Sequence, residues 1–275
     1  LSRKKMDELL EGARIEIGEL KRDPRDFALW KSAPDGSVGW DSPWGYGRPG
    51  WHLECSAMSM DTLGECFDIH GGGADLLFPH HENEIAQSCC ASGKNFAKYW
   101  MHNGPLRVDN EKMSKSLGNF FTVREVLKRY DPEVVRYLLI SSHYRSPINY
   151  SDQSLRQSSK ALKRIYIGLK DLDIVNAKSL VNSQYERAYF SAMDDDFNTP
   201  AALGVLFEMV AEVNKTRGTD NDLACKLGKL IVKLGNYLGI LYSTPNDFLM
   251  GAEFSDVNKD EIETLKKKII LPIVG

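Results

Sequence analysis

The arrangement of hydrophobic and polar positions divides the chain near residue 150. Beyond that point, apolar residues recur every three or four positions over three stretches, 154–171, 198–210 and 222–242, and the region 180–194 has room for a fourth. This spacing places the apolar side chains on one face of a helix, and helices of this kind pack as an antiparallel bundle. The second half of the chain is therefore predicted to be all-α.

Shorter elements are predicted before residue 150. A helix over about 52–63 leads to a buried strand over 66–70, which ends in a turn of three glycines, Gly71 to Gly73. The next helix begins at Pro79 and ends at Gly93, the usual positions of proline and glycine. A strand, a glycine turn and a helix form the β–α unit of a parallel sheet, whose ligands bind beyond the carboxyl ends of the strands. The predicted fold class is α/β, followed by a helical bundle.

A further strand is predicted over 98–108, and two helix starts follow it. Thr122 and Glu125 have the spacing of a capping box, in which each side chain bonds to the other residue's backbone N–H. Asp131, followed by Pro132, marks the second start.

Composition indicates a globular protein. The chain has 275 residues, of which 42% are hydrophobic and 27% charged, and this length favours about two domains. No apolar run approaches the length that spans a membrane, and the first residues lack the apolar segment of a secretory signal. A cytoplasmic location is therefore expected. Five cysteines, an odd number, fit reduced thiols with one metal ligand better than a disulfide framework.

The formal net charge of −3 argues against indiscriminate binding of nucleic acid, although a local basic face still permits it. Arg156, Lys160, Lys163 and Arg164 share one face of a predicted helix. A face of this kind contacts a nucleic-acid backbone in some proteins and is merely solvated in more of them. Both interpretations stay open, with the solvated face favoured.

A metal site is one interpretation of Cys55, His80 and Glu84. They offer a sulfur, a nitrogen and an oxygen, and a helix places His80 and Glu84, four residues apart, on the same face. A zinc site with three protein ligands keeps a fourth position open for water or substrate. In the plainer interpretation, His80 and Glu84 form a surface pair and Cys55 is a small core residue. Other nearby residues are also candidate ligands: His52, His70, His81 and Glu82.

Two stretches are candidates for nucleotide binding. The three glycines would let the backbone approach a flat ring while Asp75 holds ribose hydroxyls, but GGGAD is not the dinucleotide fingerprint. A plain strand-to-helix turn explains those glycines slightly better. The string KMSKS, from Lys112 to Ser116, places two lysines in a polar loop, where they can neutralise a phosphate chain and stabilise charge during its transfer. A solvated loop is the alternative.

Taken together, three segments resemble one family: GRPGWHLECSAM, FDIHGGGADLLFPHHENEIAQS and EKMSKSLGNFFT. The resemblance is to bacterial-type cysteinyl-tRNA synthetases, which are class I aminoacyl-tRNA synthetases. A fourth segment, MDDDFNTPAALGVLF, resembles the helical domain that follows their catalytic domain. The HIGH signature of class I enzymes is absent. The resemblance implies the second half of a Rossmann-like parallel-sheet catalytic domain followed by the helical bundle, without most or all of the anticodon-binding region.

The resemblance also implies the zinc ligands. Cys55, His80 and Glu84 match the catalytic zinc ligands of the family, whose fourth ligand, a cysteine near the N-terminus, has no counterpart here. His81 and Glu82 then become residues that support the ligands or pack beside them.

Further roles follow from the same matches. The implied positions are Trp51 and His70 in the amino-acid pocket, Gly73, Asp75 and Lys115 at the nucleotide, and Lys112 with Lys115 at the departing pyrophosphate. The activity implied is ATP-dependent activation of cysteine and its transfer to a cysteine-specific tRNA, with magnesium and zinc. A monomer that does not bind membranes is expected, although no pattern specifies the oligomeric state, and residues 1–275 alone are expected to be inactive.

Two other functions stay open. One is a cysteine ligase of thiol (mycothiol) biosynthesis, which joins cysteine to an amino sugar, and the other is a non-catalytic zinc or nucleic-acid binding module. The expected domain limits are the half catalytic domain over 1–120, a connecting helical region over 121–153, the bundle over 154–243, and a linker with a truncated tail over 244–275.

Overall fold

The structure is a computed structural model, and it describes residues 1–3, 23, 26–34, 36–109, 111–112, 122–181 and 183–251. The chain divides into two compact units, Leu1–Gly104 and Pro105–Gly275. Lys115 of the KMSKS string and most of the tail predicted over 244–275 lie outside the described residues. The four domain limits expected from the sequence stay predictions.

In the part of the first unit that the structure describes, there are two small sheets and two α-helices. Its elements are β1 (Trp30–Ser32), β2 (Gly47–Pro49), α1 (Trp51–Leu63), β3 (Phe67–Gly73), α2 (Glu82–Ser92) and β4 (Ala97–Asn103). Strands β1 and β2 are antiparallel, whereas β3 and β4 are parallel and are joined through α2. The helix predicted over 52–63 and the β–α unit that follows it are therefore confirmed.

The prediction of a glycine turn is wrong. Gly71, Gly72 and Gly73 continue strand β3, and they pair with the last three residues of β4. The absence of side chains lets other groups approach this edge: a Cβ on Gly72 would lie 3.0 Å from Cε1 of His81, and one on Gly73 would meet the carboxylate of Asp75. The glycines therefore make room for neighbouring side chains, and the chain turns only afterwards, at Ala74–Leu76.

The prediction that this strand is buried is also wrong. Only Phe67 of β3 is buried, against Phe96 and Ala97, because β3 has one partner strand among the described residues. The helix expected from Pro79 begins regularly only at Glu82, since Leu77–His81 form a wider turn in which Phe78 has extended dihedrals. Gly93, with φ of 71°, ends α2 as predicted.

Three strands form a small sheet among the described residues of the second unit. The elements of this unit are β5 (Leu106–Val108), β6 (Glu111–Lys112), α3 (Val123–Leu127), α4 (Pro132–Ile140), β7 (Ile148–Tyr150), α5 (Asp152–Leu169), α6 (Gln184–Asp194), α7 (Thr199–Thr216) and α8 (Asn221–Tyr237). The strand order is β6-β5-β7, with β5 antiparallel to β6 and parallel to β7. The long crossover from β5 to β7 contains α3 and α4.

Local capping explains where these helices start. Thr122 and Glu125 form the predicted capping box, and Asp131 and Asn198 accept hydrogen bonds from backbone N–H groups in the first turn. Helix α8 ends at Tyr237, earlier than predicted, because Gly239 adopts the left-handed conformation with φ of 73°.

The bundle core lies among α5 to α8, with α7 in contact with the other three. Apolar side chains from every helix of the bundle are fully buried, including Leu162, Tyr189, Leu206 and Leu234. The hydroxyl of buried Tyr189 donates to the carbonyl oxygen of Leu234 at 3.0 Å, so this polar atom is satisfied inside the core. None of the helices in the described part of the chain is both long enough and apolar enough to cross a membrane.

Candidate functional site

Glu84 is the centre of a polar cluster in the first unit. Glu84 is only 4% exposed, and its Oε2 lies 2.9 Å from Nε2 of His70, on β3. Oε2 has no hydrogen-bond partner among the described residues. Burial by itself would raise the pKa of this carboxyl, but the contact with His70 and the nearby His81 outweigh burial and lower it. Glu84 is therefore a buried carboxylate with an oxygen available to a cation.

His81 joins this cluster from the turn before α2. Its Nδ1 lies 2.9 Å from Nε2 of His102, on β4, and its ring packs at 4.7 Å from that of His70 and at 5.2 Å from Trp100. Burial, the largest cause, lowers the pKa of His81. A neutral imidazole is the form that binds metal ions.

His80 has a different partner. Its Nδ1 lies 3.0 Å from Nε2 of His52, on α1, and Asn83 Nδ2 lies 3.5 Å from the other ring nitrogen of His52. The indole of Trp51 is 6.2 Å from the His80 ring, and Trp51 is 74% exposed. Burial and then the charge of His80 lower the pKa of His52.

Cys55 lies on α1 and contacts the same carboxylate. Burial raises the pKa of its thiol, and the negative charge of Glu84 and a hydrogen bond with that carboxylate raise it further. A cation bound beside Glu84 would reverse this effect, because metal coordination deprotonates a thiol.

The donor set fits a metal ion. His70, His81 and Glu84 offer ligand atoms that all lie within 4.8 Å of one another. Two imidazoles and a carboxylate, with the Cys55 thiol beside them, are zinc-type ligands. In the sequence prediction, Glu84 stands with Cys55 and His80. The structure brings Glu84 and Cys55 together but pairs His80 with His52, so the predicted ligand set stays a prediction.

The other predicted residues are distributed over both units. Asp75 is exposed and lies two residues after Gly73, the last residue of β3. His70 contacts Glu84, and its expected place in the amino-acid pocket stays a prediction. Lys112 is the last residue of β6, in the second unit. Lys115 lies outside the described residues.

Sequence reasoning missed His102 entirely. His102 lies two residues after Trp100 on β4, and both rings lie beside His81. The signal that would have found it is the period of two in a strand, which puts residues 100 and 102 on the same face.

The chain is similar to known proteins in both of its halves. Residues 1–160 match the family described as tRNA synthetases class I (C) catalytic domain, and residues 188–242 match the DALR domain. The resemblance based on sequence motifs is confirmed, as is the fold class of a parallel-sheet α/β domain followed by a helical domain.

Two curated relatives and one solved structure illustrate the similarity. Proteins named Cysteine--tRNA ligase from Ectopseudomonas mendocina and Azotobacter vinelandii are each 58% identical over 265 residues, 96% of this chain. The chain spans 57% of the length of these relatives. LeuRS from Agrobacterium radiobacter, crystallised as a ternary complex with tRNA and LeuAMS, is 16% identical with a TM-score of 0.56, over 79% of this chain and 35% of that one. This last likeness concerns the fold alone.

Proposed function

The chain belongs to the class I (C) tRNA synthetases, and on that premise we propose that the protein activates L-cysteine with ATP and transfers it to a cysteine-specific tRNA in the cytoplasm. One observation carries the proposal: relatives named Cysteine--tRNA ligase are 58% identical over 96% of the chain. The buried cluster around Glu84 supports it independently, since it can hold a cation that binds a substrate thiolate.

We propose that this cluster discriminates cysteine from serine. A bound zinc ion would accept the thiolate of cysteine as a ligand, and the hydroxyl of serine is a far poorer ligand. From this chain, the residues we propose to hold the ion are Cys55, His80 and Glu84, with His70 and His81 as the alternative partners of Glu84. Trp51, exposed beside the His80 ring, is the proposed wall of the amino-acid pocket.

In the activation step, a carboxylate oxygen of cysteine attacks the α-phosphorus of ATP. A C–O–P bond forms, the bond between the α-phosphorus and its bridging oxygen breaks, and pyrophosphate leaves with the electron pair. Lys112 and Lys115 are proposed to stabilise the charge that develops on pyrophosphate, because preorganised cations lower such barriers. Gly73 and Asp75 are proposed to hold the adenosine. Magnesium is expected with ATP, as in other phosphoryl-transfer sites.

The test is cysteine-dependent exchange of pyrophosphate into ATP by the full-length protein, followed by charging of tRNA. We expect exchange with cysteine and at least about a hundredfold less with serine, because a site that bonds one substrate group rejects analogues that lack it. Absence of exchange would overturn the proposal. A cysteinyl amino-sugar product in place of charged tRNA would favour the thiol-biosynthesis ligase.

Variants of the two adjacent histidines separate the two ligand sets. If His80 is the ligand, His80→Ala is expected to lower zinc affinity by at least about tenfold, while His81→Ala keeps the metal. If His81 is the ligand, His81→Ala is expected to lower zinc affinity and His80→Ala to keep the metal. The measurement is zinc content and competition with a chromogenic chelator. Since both imidazoles have histidine partners, each variant is compared with the matching substitution of its partner, His52→Ala or His102→Ala. Equal zinc affinity in both ligand variants would contradict both sets.

A further inference from the structure

A charged cluster joins the loop before β7 to the turn between α6 and α7. Arg145 donates from Nε to Oδ2 of Asp196 at 2.5 Å and from Nη2 to Oδ1 at 3.3 Å. The hydroxyl of Tyr144 donates to Oδ1 at 2.7 Å, and His143 Nε2 lies 4.0 Å from Oδ2. Asp196 thus holds two consecutive residues of a loop 51 residues away in sequence.

The three loop residues of the cluster also pack against one another. The Arg145 guanidinium lies 5.2 Å from the centre of the Tyr144 ring, on which the His143 ring stacks at 4.9 Å. The two hydrogen bonds, from Arg145 and then from Tyr144, lower the pKa of the Asp196 carboxyl. A lone surface ion pair contributes little, but a two-pronged arginine contact fixes orientation as well as distance.

The backbone of the turn is strained where it presents this carboxylate. Asp196 and Phe197 have φ of 52° and 56°, in the left-handed region. Side-chain-bearing residues adopt this region at a cost, and the strain persists only when surrounding contacts impose it. Asparagine and aspartate both adopt this region more readily than most residues with a side chain, so exchanging one for the other at position 196 changes the charge and leaves the backbone preference similar.

The loop that Asp196 holds leads directly into a strand. Three residues beyond Arg145, β7 begins, and Ile148, Asn149 and Tyr150 pair in parallel with β5. Strand β5 pairs in turn with β6, where Arg107 faces Lys112. Lys112 is the first residue of the KMSKS string. Described contacts therefore run from the bundle turn through Arg145 and β7 to the strand on which that string begins.

We propose that Asp196 is a positioning residue, which uses its two-pronged contact with Arg145 to fix the β6-β5-β7 sheet and hence the start of the KMSKS string relative to the helical bundle. The proposal rests on the proposed function, in which the lysines of that string act on pyrophosphate. Through this contact, the helical bundle would set the position of Lys112 for the activation step.

Asp196→Asn tests this role in the full-length protein, because asparagine tolerates the left-handed backbone and keeps an acceptor for Tyr144. We expect kcat of pyrophosphate exchange to fall about tenfold with KM for cysteine unchanged, since small misplacements of reacting groups cost rate. Hydrogen exchange of β5, β6 and β7 is expected to accelerate in the same variant. Arg145→Lys, which keeps the charge but loses the two-pronged contact, is expected to fall between this variant and the wild type.

The matched control is Asp195→Asn, which removes the neighbouring charge from the same turn; Asp195 has no side-chain ion pair or hydrogen bond among the described residues. Unchanged protection of β5 to β7 in Asp196→Asn would overturn the proposal, as would equal effects of the two variants or a fall in thermal stability without a change in kcat. If wild-type protein shows no exchange, the proposed function fails, and hydrogen exchange still decides whether Asp196 fixes the sheet.

Discussion

Replacing Glu84 by glutamine is expected to remove bound zinc from the protein and to lower cysteine-dependent pyrophosphate exchange by at least about a hundredfold. Loss of a residue that merely orients a ligand costs 10- to 100-fold, and Glu84 is proposed as a ligand itself. It is common to both candidate sets, because the sequence pairs it with Cys55 and His80 and the structure groups it with His70 and His81. A glutamine amide is neutral and binds zinc poorly.

The measurement is zinc content by elemental analysis, alongside exchange kinetics. Glu82→Gln is the matched control on the same helix. The Glu82 carboxylate accepts a hydrogen bond from the backbone N–H of Ser2 and is not among the ligand atoms grouped by His70, His81 and Glu84. It is expected to keep zinc and activity. If Glu84→Gln retains zinc at the wild-type level, the cluster around Glu84 is not the metal site.

The largest effect on stability is expected from Leu162→Ala. Leu162 is fully buried, at 0% exposure, on α5, in the core shared with α7. Truncating a buried leucine to alanine costs about 2–5 kcal/mol, since it removes apolar contacts and leaves a cavity. Each kcal/mol corresponds to a shift of roughly 2–4 °C in melting temperature for a unit of the size of Pro105–Gly275. The helical transition followed by circular dichroism at 222 nm measures it.

Ile167→Ala on the same helix is the control, because Ile167 is 56% exposed. Its truncation is expected to change stability by no more than about 0.5 kcal/mol, since the small loss of burial is offset by the higher helix propensity of alanine. Equal destabilisation by the two variants would show that α5 is not packed as described.

The helices could be predicted from the sequence to within a few residues, because their signals are local. Thr122 with Glu125, Asp131 before Pro132, and Asn198 before Thr199 each satisfy backbone N–H groups within one turn. The failures have equally physical causes. Gly71 to Gly73 were predicted as a turn because glycine is common in turns, but their pairing with β4 depends on residues 30 positions away.

The family could also be predicted, since GRPGWHLECSAM, HHENE and KMSKS are local strings. By itself, the sequence determined the helical bundle, the β–α unit and the residue types available for a metal site, because periodicity, capping and motif are properties of neighbouring residues. Only the tertiary structure decided which histidine faces Glu84 and which loop Asp196 holds. Those choices depend on where the chain returns in space, and several imidazoles of equal chemistry compete for one carboxylate.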